Sequence, residues 1–64
     1  MKDSHIYQRM SNPTVIKTYV HMINTYEMDT VTELYNNITK QANDHPRYNA
    51  IVEAYNARLQ KDGI

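Results

Sequence analysis

Asn12-Pro13-Thr14-Val15-Ile16-Lys17-Thr18-Tyr19-Val20-His21-Met22-Ile23-Asn24-Thr25-Tyr26-Glu27 is the stretch that decides the fold. Asn12 has a side-chain oxygen that can accept from a free backbone N–H at a helix start, and Pro13 fits the first helical position, where its missing N–H costs nothing. Val15, Ile16, Tyr19, Val20, Met22, Ile23 and Tyr26 then recur at helical spacing. Their arc covers roughly 160° of the helix surface, against the ~100° stripe of an ordinary surface helix. An arc that wide predicts a helix over about 13–27 that sits at the centre of the packing and contacts two neighbours.

Two further start signals lie downstream. Thr30 and Glu33 have the spacing of a capping box, followed by the stripe Val31, Leu34, Tyr35, Ile38 and Ala42, which predicts a second helix over about 31–42. Asp44 or His45 can cap a third helix with Pro46 at its first position. Its stripe is Tyr48, Ile51, Val52, Tyr55 and Leu59, and Gly63 suits a left-handed cap at its end. This helix is expected over about 46–61. The fold class is therefore all-α, a small three-helix bundle, with 1–64 as a single small helical domain. Ser4 can cap a short N-terminal helix carrying Ile6, Tyr7 and Met10; the alternative is an arm that packs only against a partner.

Sixty-four residues without cysteine leave tight helix packing, a partner or self-association as the sources of stability, because a chain this short buries little apolar surface. Seven basic and seven acidic residues cancel, so the chain lacks the net positive charge on which phosphate neutralisation depends. No apolar run approaches the ~18 residues of a membrane span, and the start of the chain has no apolar signal-peptide core. These features lead to the expectation of a soluble, cytoplasmic protein.

Catalytic and ligand chemistry find little footing. Gly63 is the one glycine, so there is no phosphate-cradling loop. Ser4 and Ser11 have no His–Asp relay beside them, and Glu33 and Glu53 read as solubilising helix carboxylates. His5, His21 and His45 fall at no metal-ligand spacing. The expectation is a protein that is not an enzyme, with no cofactor, no metal and no small-molecule substrate.

Six tyrosines stand without phenylalanine or tryptophan, and methionine and asparagine are frequent. Most of the tyrosines lie on apolar stripes, where a ring at the core rim keeps its hydroxyl wet. A chain this short does not bury six of them well, and tyrosine is enriched among interface hot spots. The function expected first is protein–protein interaction, with Tyr7, Met10, Arg47 and Tyr48 as the contact residues and the partner's activity modulated, most simply inhibited. Self-association as a homodimer is compatible with it. The size, the lack of cysteine and the AT-rich codon usage of Asn, Tyr, Ile, Lys and Thr are those of small accessory proteins of phages and mobile elements, with a host protein as target.

Two alternatives stay open. The second and third helices can form a helix-turn-helix that binds nucleic acid, with Asn49, Asn56 and Gln60 reading base edges and Arg47, Arg58 and Lys61 on phosphates. Glu53 lies in the middle of that face. The other alternative is a purely structural homo-oligomer.

Overall fold

The computed structural model describes residues 5–63. The chain forms four helices: α1 (His5–Arg9), α2 (Pro13–Thr25), α3 (Met28–Ala42) and α4 (Tyr48–Asp62). No strand occurs among the described residues. The N-terminal cap expected at Ser4 lies outside them.

α2 begins as its sequence predicts. Asn12 is extended (φ −98°, ψ 117°), its side chain accepts from the Thr14 N–H at 2.9 Å, and Pro13 opens the helix. Its end differs from the expected 27. The helix stops at Thr25, and Tyr26 takes extended backbone while donating its N–H to the Met22 carbonyl at 2.9 Å.

α3 starts a turn earlier than the Thr30–Glu33 pair predicts. Met28 opens it, and Glu27 is its N-cap with no side-chain cap hydrogen bond. Extending backwards lets Met28 pack against the core and places Asp29 in the first turn, where the helix dipole favours an acid. Those gains outweigh the local capping box, so Thr30 lies inside the helix.

α4 starts later than Pro46, at Tyr48, with Arg47 as N-cap. A tight turn precedes it, in which the His45 N–H donates to the Ala42 carbonyl at 3.0 Å and the Tyr48 N–H to the His45 carbonyl at 2.9 Å. Pro46 is therefore a turn residue. Gly63, at φ −83°, is not left-handed. Its lack of a side chain matters instead for close approach, since a Cβ there would stand 2.6 Å from the Leu59 carbonyl oxygen.

The core is Met10, Ile16, Tyr19, Ile23, Val31, Ile38, Ala42, Ile51 and Ala54. The largest helix contact is between α2 and α4, while α1 lies on α3. α2 and α4 run in the same direction. Arg47, just before α4, bonds to Ser11, just before α2, and Arg58 near the end of α4 bonds to Ile23 near the end of α2. α3 runs back in the opposite direction and packs against both.

Packing against α2 also rotates the buried face of α4 away from the predicted stripe. Ala54, not on that stripe, is buried, and its small size permits the close approach; Leu59 is 41% exposed. Arg58, seven positions after Ile51 and so on the same face, takes the place expected of Leu59. Its guanidinium donates to the Ile23 carbonyl at 2.8 Å and to Asp62 at 2.6 Å. Ile23 is among the last residues of α2, whose carbonyls have no partner within the helix, so Arg58 supplies one.

Candidate interaction surface

The structure brings Tyr7, Met10, Arg47 and Tyr48 to one region, around the start of α4, but largely spends them on the fold itself. Met10 is 0% exposed, so its side chain offers nothing to a partner. The Tyr7 ring stands edge-on to His45, with centroids 4.6 Å apart and planes at 66°. The Arg47 guanidinium donates to the Ser11 carbonyl at 2.6 Å. The Tyr48 hydroxyl is 2.6 Å from that of Thr39, and its ring stacks on Tyr35. Tyr7 and Arg47 clasp the N-terminal segment to the turn between α3 and α4, and Tyr48 ties α4 to α3.

His45 is the centre of the clasp and is 8% exposed. Its Nδ1 accepts from the Arg47 backbone N–H at 3.1 Å, which requires that nitrogen to be unprotonated. Nε2 then carries the proton and faces the Ser11 hydroxyl at 3.3 Å. Burial, reinforced by the positive charge of Arg47, holds the His45 pKa below the usual histidine range. Protonation therefore favours the unfolded chain. The stability this residue contributes is fully present above the unfolded pKa of about 6.5 and is lost as the pH falls from there toward the lower folded value. Thermal melts of the native chain should drop between about pH 7.5 and pH 5, and His45→Asn, whose Oδ1 can keep the Arg47 bond, should show a smaller drop. Equal slopes in the two proteins would remove His45 as the titrating group.

On α4, Asn49, Glu53, Asn56, Gln60 and Lys61 are exposed. Arg47 and Arg58, placed on phosphates in the helix-turn-helix reading, are committed to the intramolecular bonds described above, and the Arg58 side chain is only 13% exposed. Of the three cations assigned to that face, Lys61 has its side chain in solvent without a bond to the fold among those described.

A different surface remains open. The wide apolar arc of α2 divides in two. Ile16, Tyr19 and Ile23 are buried, whereas Val15 and Met22 pack against the core but keep part of their surface exposed, and Tyr26 is 45% exposed. Beside this second half lies Leu34 of α3, also half covered. Met22 is the shared wall of two open hollows. One, about 260 Å3, is lined by Met22, Thr30, Glu33, Leu34 and Asn37. The other, about 290 Å3, is lined by Arg9, Val15, Thr18, Tyr19 and Met22. In the sequence Val15, Met22 and Leu34 stand only as members of the apolar stripes, and all three do pack against the core. The available signal was the arc itself, too wide for the two neighbours that cover it.

Among the described residues no three His, Asp or Glu side chains gather as a metal site, and no buried side-chain polar atom lacks a partner. No described helix is long and apolar enough to cross a membrane. No protein-family model, curated protein or solved structure matches the chain, and what bears on its function is therefore the geometry of these surfaces.

Proposed function

We propose that this chain is a protein–protein interaction module without catalytic activity, a three-helix bundle of α2, α3 and α4 clasped by α1, which binds a helix of a partner protein along the Met22 face. The observation that supports it is the half-covered apolar strip Val15–Met22–Leu34 with a hollow on either side and polar rims at Arg9 and Glu33. Apolar anchors in a groove with a polar border are what an amphipathic helix needs in order to dock. The residues first expected at the contact, Tyr7, Met10, Arg47 and Tyr48, act here by holding the frame together.

Met22→Glu tests the assignment. The tagged chain and this variant are used to retain protein from nuclease-treated lysate. The variant should keep its helical circular dichroism and lose at least about tenfold in retained protein, a carboxylate being costly to bury against apolar groups. Equal retention by the two, in a native chain that also shows no self-association, would overturn the surface. Salt-dependent recovery of nucleic acid from a parallel lysate without nuclease would shift the reading to Asn49, Asn56, Gln60 and Lys61 on α4.

A further inference from the structure

From the two-sided layout of the Met22 face we infer that its occupant is a second copy of this chain, paired about a two-fold axis that passes beside Met22; this rests on the reading of that face as an interaction surface. Val15, Thr18 and Met22 lie within roughly 60° of one another around α2, and Tyr26 caps its end. Val15 and Met22 are one heptad apart, with Thr18 between them at the alternate seam position, the spacing by which one helix packs along another.

The rims of the two hollows carry opposite charges. Arg9 borders the hollow that holds Val15, and Glu33 borders the hollow that holds Leu34. A two-fold axis exchanges the two sides of the strip. It therefore sets Arg9 against Glu33 of the partner subunit, and Glu33 against the partner's Arg9, while Val15 meets the partner's Leu34 and Met22 meets the partner's Met22. A two-fold contact must be self-complementary in this way. A foreign helix would have to supply an acid and a base at the matching separation, and a second copy supplies both. The formal net charge of zero removes the general repulsion between copies that a charged chain would carry.

The chain exposes 4487 Å2, so an interface of the standard ~800 Å2 per partner would occupy under a fifth of its surface. The whole of α2 is about 20 Å long, so the contact falls at the smaller end of that class.

Sedimentation velocity of the full chain from about 1 µM to about 1 mM tests the inference. The native chain should pass from monomer to dimer across this range. Arg9→Glu and Glu33→Arg should each weaken dimerisation by roughly tenfold, since each places like charges together twice, and the double variant Arg9→Glu/Glu33→Arg should recover native affinity. Met22→Glu should remain monomeric. Both rim residues are exposed, so their variants report on association even where the Met22 variant fails to fold. A native chain that stays monomeric throughout, or a double variant no better than the single ones, would overturn the two-fold pairing. A monomeric native chain that still retains a lysate protein in a Met22-dependent manner would overturn the pairing alone. Loss of both self-association and Met22-dependent retention would remove the interaction surface as well.

Discussion

Met10→Ala is expected to destabilise the fold by about 2–4 kcal/mol, the cost of truncating a large apolar side chain in a site that does not collapse around the void. Met10 is one of the largest fully buried side chains in the protein. It stands where α1 turns into α2. Its N–H donates to the Ile6 carbonyl at 3.0 Å, and those of Ser11 and Asn12 to the Gln8 and Arg9 carbonyls at 3.1 and 3.0 Å. The turn is thus fixed from both sides, and the side chain enters the core with Ile6 and Tyr7 packed at its edge. A domain of this size has a few kcal/mol of net stability, so much of it would be lost with one thioether. Urea denaturation of the native chain and the variant measures this directly. A cost under about 0.5 kcal/mol, typical of a surface change, would mean that the N-terminal segment is an arm and not part of the fold.

The contrast between Asn12 and Thr30 shows which parts of the architecture were legible. Asn12-Pro13 is a local device. The cap bond reaches Thr14, and nothing distant decides it. Thr30 with Glu33 is also local, but the competing start at Met28 draws on burial against other helices, which the pattern of adjacent residues does not contain. Pro46 fails for a related reason. His45 is held under Tyr7 and beside Ser11, and its ring takes the Arg47 N–H, so the helix begins beyond it. The tertiary neighbour sets the boundary in both cases.

The same division applies to the site. That α2 carried more apolar surface than an ordinary helix could be read from its spacing. Which half would remain open depended on α2 packing chiefly on α4, and this in turn on Ala54 admitting a close approach where the stripe pointed to Leu59. The mutual packing of Tyr35, Tyr48 and Tyr55 could not be read from the stripes for the same reason, since it depends on how α3 meets α4.

Tyr35→Ala is expected to cost about 2–4 kcal/mol, from lost ring burial and two aromatic contacts worth about 0.5–1.5 kcal/mol each. Tyr48 and Tyr55 are two turns apart on α4, about 10.5 Å along its axis. Tyr35 stacks on both, with centroids 6.1 Å from Tyr48 and 3.9 Å from Tyr55 and planes inclined at 28° and 7°. Its ring is therefore inserted between the other two. The seam is closed by hydroxyl pairs on either side, Thr39 with Tyr48 at 2.6 Å and Thr32 with Tyr55 at 3.3 Å. Tyr35→Phe keeps the rings and should cost less than about 1 kcal/mol, the net value of a hydroxyl hydrogen bond. The neighbouring Tyr48 hydroxyl, with burial second, raises the Tyr35 pKa. The folded state thus holds a proton that the unfolded chain releases, and stability should fall as the pH rises past about 10. Tyrosine is the only aromatic among Phe, Trp and Tyr in this chain, so the near-ultraviolet circular dichroism is a tyrosine signal to which Tyr7, Tyr19 and Tyr26 add a constant background, and it should weaken more in the alanine variant than in the phenylalanine one. An alanine cost no greater than that of phenylalanine would show that the seam between α3 and α4 does not depend on the stack. If the stack does carry the seam, Tyr35, Tyr48 and Tyr55 serve the fold, and the large apolar side chains most exposed to solvent among the described residues are Tyr26 and Leu59.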